Sequence, residues 1–140
     1  MTEHLVAAHP LTYGQASGQV LVLDEPVSFW GGVDYLGVIA DIHHPQHGQS
    51  VTGKVLLMES SRGSSSGSFC LMELMRTHLA PAAIVMCEPD GIVCTGVLVG
   101  TETYGYELPT IMVSGQDFGR VADGVLAHVE SQPGKAHLSW

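Results

Sequence analysis

The sequence predicts a mixed α/β domain with its layers arranged as β/β/α, and three observations lead to this class. The chain has 140 residues, a length typical of one domain that buries its own core. Short β-branched runs dominate the first half, and strands alternate with helices from residue 51 onward. This alternation requires at least one right-handed crossover. We therefore expect a single domain over residues 1–140 with mixed β layers and two main helices, and flexible ends at residues 1–12 and 131–140.

Two short strand patterns occupy the first half of the chain. Residues 17–23 alternate in polarity and are rich in β-branched side chains, which predicts a strand. Two consecutive glycines, Gly31 and Gly32, then interrupt the pattern. Such a pair is typical of an ordinary turn, or of backbone that closely approaches a ligand. Residues 36–42 are a second apolar run, which predicts another strand.

The second half alternates between strands and helices. Residues 51–58 predict the clearest central strand, and a loop rich in glycine and serine follows at 59–67. Residues 68–79 predict a helix because Ser68 can act as its N-cap and apolar side chains recur at helical spacing. These side chains are Phe69, Met72, Met75 and Leu79. The later segments are a buried strand at 82–86, an apolar run broken by glycines at 91–100, a strand at 109–114, and a closing helix at 118–129 with Val121, Val125 and Val129 on one face.

Composition excludes several classes of partner. The chain carries 14 acidic and 5 basic residues, for a formal net charge of −9. The basic residues are scattered, so the chain lacks the basic stripe that nucleic acids or anionic membranes require. The first eleven residues lack a signal-peptide pattern, and no apolar run approaches the roughly 20 residues of a membrane span. We expect a cytoplasmic protein with no nucleic-acid or membrane partner.

The apolar content of 45% is high for a chain with only 14% charged residues. It indicates either a well-filled core rich in β-structure or an apolar surface that faces another subunit.

The cysteines and histidines do not show metal-ligand spacing. The chain has three cysteines and no C-x-x-C pair, which argues against a disulfide framework and a thiolate zinc site. His43, His44 and His47 lie close together, but their spacing matches no helical pair and Pro45 breaks the backbone between them. We expect a polar loop here rather than a metal site, and we assign no metal or cofactor to this chain.

The loop at residues 60–68 is where the chemistry is expected. It reads SSRGSSSGS and joins a buried strand to a helix N-terminus. Free N–H groups and the helix dipole at such a junction suit an anion, and Arg62 can add a bidentate contact to a carboxylate or phosphate. No lysine follows the last glycine, so the loop is not a Walker A motif. A structural serine–glycine turn is the alternative.

Two groups of motifs resemble the swivel domain of aconitase X. The first comprises Gly53–Met58, Arg62–Ser68 and Ala80–Ile84, and the second comprises Ser28–Asp34, His44-Pro45 and Gly48. The resemblance covers about residues 18–113. It implies a swivelling β/β/α fold that is either fused to a large catalytic domain or separate from it. That large domain holds an iron or iron–sulfur centre. The length of 140 residues fits a separate small subunit, inactive without its large subunit.

The resemblance also implies roles for individual residues. In the wider aconitase superfamily, a swivel-domain serine that follows a glycine takes the substrate proton. Gly63-Ser64-Ser65 matches that pattern, so Ser64 is the candidate general base and Ser65 the second choice. The implied substrate contacts are Arg62, Gly63, Ser65, Ser66, Gly31, Gly32 and Asp34. For the last three, a structural corner is the alternative.

The implied reaction is the dehydration of a small hydroxy acid, which most closely fits cis-3-hydroxy-L-proline giving Δ1-pyrroline-2-carboxylate. The alternatives are the small subunit of a phosphomevalonate dehydratase and a stand-alone module that binds small anions.

Overall fold

The computed structural model describes residues 4–140, and ten elements follow one another in this part of the chain. They are β1 (Leu5–Thr12), β2 (Gly14–Val22), β3 (Val55–Leu57), α1 (Gly67–Arg76), β4 (Ala83–Met86), α2 (Gly91–Tyr104), β5 (Thr110–Met112), α3 (Gly115–Phe118), β6 (Leu126–Gln132) and β7 (Lys135–Ser139). The strands close into a barrel in the order β1-β5-β4-β3-β2-β6-β7.

The barrel has a parallel wall and an antiparallel wall. Strands β2, β3, β4 and β5 are parallel, and β1 pairs antiparallel with β5 at their margin. Strands β2, β6, β7 and β1 form the antiparallel wall. Strands β1 and β2 belong to both walls. The first six residues of β2 pair with β6 and its last three pair with β3, while β1 pairs first with β7 and then with β5.

The parallel wall separates two hydrophobic cores. In β3 and β4, Leu56 and Ile84 pack among residues of α1 and α2, whereas Leu57 and Val85 pack inside the barrel. This alternation follows from the two-residue period of a strand that is buried on both faces. The mixed α/β class is therefore confirmed, and the two β layers are the walls of one closed barrel.

Four predicted strands are present. Residues 17–23 lie largely in β2, which begins earlier, and residues 51–58 contain the short central strand β3. Residues 82–86 and 109–114 contain β4 and β5. Helices α1 and α2 connect parallel neighbours, as the predicted crossover requires.

The predicted strand at 36–42 is wrong. This stretch contains only isolated bridges, in which Val33 pairs with Ile39 and Val38 with Ser50. Gly37 has a φ of 79°, which turns the chain and ends any extended run.

The predicted closing helix at 118–129 is also wrong. Helix α3 ends at Phe118, Gly124 turns the chain with a φ of 83°, and β6 starts at Leu126. Val125 and Val129 are four residues apart, which is close to one helical turn but also two strand periods. The spacing of the valines therefore did not discriminate between the two structures.

The described residues at the two ends for which flexibility was expected include paired strands. Residues 5–12 form β1 and residues 135–139 form β7, and these two strands pair to close the barrel. Residues 1–3 of the predicted lead-in lie outside the described residues. The pairing partners are far apart in the sequence, so a local pattern could not reveal them.

The helices differ in detail from the prediction. Helix α1 covers 67–76 rather than 68–79, and its buried side chains are Leu71, Leu74 and Met75, whereas Phe69 is 72% exposed. The second main helix is α2, in the glycine-broken run for which no helix was predicted. No helix between residues 4 and 140 has the length and apolar character needed to cross a membrane.

Candidate active site

The serine loop, defined here as residues 59–66, leaves the carboxyl end of β3 and leads into α1. The segment before α2 leaves the neighbouring parallel strand β4 at the same edge of the sheet. A hydrogen bond of 2.9 Å from the Cys87 amide to the Glu59 carbonyl joins the two segments. The barrel thereby brings the serine loop against the start of α2, as expected at the carboxyl edge of a parallel sheet.

Hydrogen bonds anchor the entry of the serine loop. The amide of Ser61 donates to Asp90 Oδ2 at 3.2 Å, and its hydroxyl donates to the same oxygen. The amide of Arg62 donates to the Val27 carbonyl at 3.1 Å. Between these anchors and α1, residues 63–65 are exposed. The exposed hydroxyls are therefore presented on a restrained backbone.

The unpaired amides lie one turn earlier than predicted. In the first turn of α1, the Gly67 amide donates to the Ser64 carbonyl at 3.0 Å and the Phe69 amide donates to the Ser66 carbonyl at 3.2 Å. By contrast, the amides of residues 63–65 donate to no protein acceptor within residues 4–140. These three neighbouring donors are available to an anion.

The N-cap prediction is wrong. Ser66 occupies the cap position of α1 without a side-chain cap hydrogen bond. The Ser68 hydroxyl instead donates to the Ile92 carbonyl at 2.6 Å and ties α1 to α2.

The hydroxyls of Ser64 and Ser65 have different surroundings. Ser64 Oγ accepts a hydrogen bond of 3.2 Å from the Ser66 amide. A donor directed at this oxygen favours its deprotonated form. Ser65 instead lines a groove of about 380 Å³ between α1 and α2, together with apolar side chains that include Met72 and Val99.

Arg62 pairs with an acidic residue outside the serine loop. Its guanidinium lies 3.9 Å from the carboxylate of Glu25, and both side chains are about half exposed. An exposed pair at this distance contributes little stability, so the guanidinium can be redirected at low cost.

The segment 28–34 lies beside the start of α1. A Cβ added at Gly67 would be 3.9 Å from the Trp30 amide nitrogen. Gly31 has a φ of 81° and open space around it, whereas a Cβ at Gly32 would lie 2.4 Å from the Ser28 carbonyl oxygen. The carboxylate of Asp34 accepts the amides of Leu36 and Val38 within its own turn. Gly32 and Asp34 thus have evident structural roles, and Gly31 remains open to a ligand.

Exposed aromatic side chains lie near the first turn of α1. Trp30 is 59% and Tyr35 77% exposed, and Tyr35 and Phe69 line a small apolar pocket of about 210 Å³. Large exposed apolar side chains grouped in this way are typical of a surface that another protein covers.

His44 has a structural role. It is buried, and its Nδ1 accepts the Gln46 amide at 3.0 Å, so the proton resides on Nε2, which lies 2.8 Å from the Glu25 carbonyl oxygen. His43 and His47 are exposed.

Among residues 4–140, no group of three or more His, Cys, Asp or Glu side chains is placed to hold a metal ion. Burial raises the pKa of Cys70, Cys87 and Cys94 above the ordinary value of 9.0.

The run Gly63–Gly67 has the spacing G-x-S-x-G, yet it is not the nucleophile elbow of a hydrolase. Such an elbow places its serine at a sharp turn directly after a strand. Here β3 ends at Leu57, well before Ser65. No hydrogen bond joins Ser65 to a histidine in the described part of the chain.

Asp90 and Ile92 were not among the predicted site residues. The Asp90 carboxylate caps α2 by accepting the amides of Ile92 at 2.9 Å and Val93 at 3.0 Å, in addition to its two bonds from Ser61. Burial disfavours its charge, but the hydrogen bonds outweigh this effect and lower the pKa of Asp90. An aspartate directly before an apolar run is a helix-start signal, which the glycines in that run obscured.

The chain is similar to several characterised proteins. It is 39% identical to the cis-3-hydroxy-L-proline dehydratase of Pseudomonas aeruginosa over 93% of this chain, but it spans only 24% of that protein's length. It is 35% identical to the phosphomevalonate dehydratase small subunit of Methanothermobacter thermautotrophicus over 89% of this chain and 92% of that subunit.

The fold has a close structural counterpart as well. The crystal structure of Thermococcus kodakaraensis aconitase X in its holo-form superimposes with a TM-score of 0.83, at 29% identity, over 96% of this chain and 98% of the matched chain. A family model described as aconitase X swivel domain matches residues 5–138. The predicted resemblance is confirmed, and the chain belongs to the aconitase X swivel domain family.

Proposed function

We propose that this chain is the small subunit of an aconitase X-type hydro-lyase, inactive without a large subunit, in which Ser64 is the general base. The observation that carries the proposal is the serine loop itself. Residues 63–65 of this loop are exposed, and within residues 4–140 their amides have no acceptor. They lie at a junction between a strand and a helix, in a chain whose relatives are named dehydratases or dehydratase subunits.

The reaction removes a carbon-bound proton beside a carboxylate and expels a hydroxyl group from the neighbouring carbon. In the proposed step, Ser64 Oγ takes the proton, the electron pair of the broken C–H bond forms a carbon–carbon double bond, and the C–O bond breaks with loss of hydroxide. With cis-3-hydroxy-L-proline this gives an enamine, and movement of its N–H proton to C3 converts the C=C bond into the C=N bond of Δ1-pyrroline-2-carboxylate. A serine oxygen can act as a base near neutral pH only where donors stabilise its charge. The Ser66 amide, 3.2 Å away, and the positive end of α1 supply this stabilisation.

The substrate carboxylate is assigned to the unpaired amides of residues 63–65. They cluster at the start of α1, where an anion is favoured. Arg62 can add a second contact because its pair with Glu25 is loose and exposed. Ser65, Ser66 and Gly31 complete the proposed contacts.

The iron or iron–sulfur centre that the family implies is assigned to the large subunit, because the described residues of this chain do not fit such a group. No suitable ligand cluster is present between residues 4 and 140, and burial raises the pKa of all three thiols. When bound, such a centre would supply Lewis-acid activation of the leaving hydroxyl.

The large subunit is proposed to cover the serine loop. Trp30, Tyr35 and Phe69 are exposed near the first turn of α1, which follows the loop, and offer an apolar surface for that contact. Coverage would also exclude water from Ser64 and strengthen the electrostatic effects described above.

The proposed substrate is cis-3-hydroxy-L-proline, with Δ1-pyrroline-2-carboxylate as the product. Within residues 4–140, Arg62 is the only basic side chain of the serine loop, which suits one carboxylate better than a carboxylate and a phosphate together. A second candidate is phosphomevalonate dehydration. It is supported by the 35% identity to a phosphomevalonate dehydratase small subunit over 89% of this chain.

The test is reconstitution with the large subunit, followed by assay of both substrates. Ser64→Ala should lower kcat by about 10²–10⁴-fold, the usual contribution of a general base, while the complex still assembles. Ser114→Ala is the matched control, because Ser114 caps the short helix α3 and lies outside the serine loop.

The outcomes separate the proposals. A large loss in Ser65→Ala with little change in Ser64→Ala would transfer the base role to Ser65. Unchanged rates in both variants would refute a serine base. Tight substrate binding by the isolated chain, with no turnover in the complex, would support a stand-alone anion-binding module.

A further inference from the structure

The first turn of α2 contacts the serine loop and the start of α1 in several places. The carboxylate of Asp90 accepts both donors of Ser61 at the entry of the loop. Beyond the loop, the Ser68 hydroxyl donates to the Ile92 carbonyl at 2.6 Å. The Ile92 side chain lies beneath the segment between these bonds, 3.8 Å from a Cβ added at Gly63 and 3.4 Å from one added at Gly67.

The two carboxylate oxygens of Asp90 have different hydrogen-bond partners. Oδ1 caps α2 by accepting the amides of Ile92 and Val93, while Oδ2 accepts hydrogen bonds only from Ser61. The loop entry is thereby tied to a helix that packs on the parallel wall of the barrel through Val93 and Val97. Loss of the contact between Asp90 and Ser61 would therefore shift the exposed backbone of residues 63–65.

We propose that Asp90 is a positioning residue: through Ser61 it fixes the serine loop on the first turn of α2 and so sets the location of the Ser64 hydroxyl. The inference rests on the proposed function for its catalytic consequence, but the structural consequence stands on the hydrogen bonds alone. Asp90 touches no reacting atom in this account, since its carboxylate is occupied by Ser61 and by the helix amides.

Asp90→Asn separates the capping of α2 from the contact with Ser61. The amide oxygen can still cap α2, whereas the amide nitrogen cannot accept a hydrogen bond from Ser61. Ser61→Ala removes the hydroxyl donor from the other side and leaves the cap intact. Asp123→Asn is the matched control, because Asp123 accepts the Val22 amide at 2.8 Å and, among residues 4–140, has no hydrogen bond to the serine loop.

The first measurement is amide hydrogen exchange on the whole chain. Asp90→Asn and Ser61→Ala should each speed exchange of the hydrogen-bonded amides of residues 61, 62 and 66–68 by about tenfold, with unchanged protection in the barrel strands. The second measurement is steady-state kinetics of the complex with the large subunit. We expect kcat to fall by about 10–100-fold, with a smaller change in KM and unchanged assembly, because a misplaced base weakens the transition state more than ground-state binding.

The double variant provides the decisive comparison. If both side chains act through one bond, the loss of kcat in Asp90→Asn/Ser61→Ala should be no larger than in the more affected single variant. Losses of kcat that multiply in the double variant, or unchanged exchange of the amides of residues 61, 62 and 66–68, would overturn the inference. Absence of dehydratase activity in the unmodified complex would instead count against the proposed function, and the exchange data would still decide the role of Asp90.

Discussion

The carboxylate of Asp90 shows how much one side chain can organise at the residue scale. It accepts the amides of Ile92 and Val93 and both donors of Ser61. Burial opposes its ionisation, but these bonds more than compensate, so the pKa of Asp90 lies below the ordinary value of 3.8. The charged form is therefore stabilised by folding.

This lowered pKa predicts a specific dependence of stability on pH. Since the pKa is lower in the folded state, the contribution of Asp90 is present above the unfolded pKa and is lost as pH falls through the folded value. At pH 7 we expect Asp90→Asn to cost about 1 kcal/mol, because the bonds from Ser61 are lost and the cap is kept. Urea unfolding of both proteins should show this gap closing below pH 3.8, and a constant gap would contradict the assignment.

Individual site residues were predictable where the signal was local. The serine loop and its place between a strand and a helix were predicted from SSRGSSSGS and its flanks. The unpaired amides at residues 63–65, the bond from the Ser66 amide to Ser64, and the pairing of Arg62 with Glu25 were not. They depend on how the loop folds back on itself and on a residue 37 positions away.

At the scale of elements, the close contact between α1 and α2 depends on glycines of α2. A Cβ at Gly96 would lie 2.9 Å from the Ser68 carbonyl oxygen, and one at Gly100 would lie 2.5 Å from Met75 Sδ. The glycines that concealed α2 in the sequence are therefore required for its packing. Small residues allow two helix backbones to approach closely, even though glycine lowers helix propensity.

Gly96→Val tests this packing. The added side chain meets backbone atoms of Ser68, which cannot rotate away, so we expect a cost of about 1–3 kcal/mol in the free energy of unfolding. Turnover in the complex should also fall, because α1 carries the serine loop. Gly91→Ala is the control, since no atom lies within 4 Å of its added Cβ, and it should be neutral or slightly stabilising. Equal behaviour of the two variants would contradict the close contact.

At the scale of the whole molecule, closure of the barrel joins the two ends of the chain. Strand β7 pairs with both β1 and β6, and Leu138 is fully buried in the barrel core together with Val129. The last residues therefore complete one of the two cores. The serine loop depends on this frame indirectly, because it extends from β3, whose Val55 and Leu57 pack in the same core.

Leu138→Ala should lower the free energy of unfolding by about 2–5 kcal/mol, since a large buried side chain is removed and a cavity remains. Lys135→Ala, at an exposed position of the same strand, should change it by no more than about 0.5 kcal/mol. Thermal or urea unfolding measures both. Equal, small effects would mean that the C-terminal strand contributes nothing, as the expectation of a flexible end would require.

The sequence by itself determined the mixed α/β class, the strands of the parallel wall, the serine loop and the family resemblance, because each depends on neighbouring residues or on ordered motifs. Tertiary structure decided the barrel closure, the replacement of the closing helix by β6, the identity of the second helix and the role of Asp90. Pairing of β1 with β7, and of Ser61 with Asp90, joins residues far apart in the chain. A local pattern records the period of a side chain's burial but not the partner that buries it.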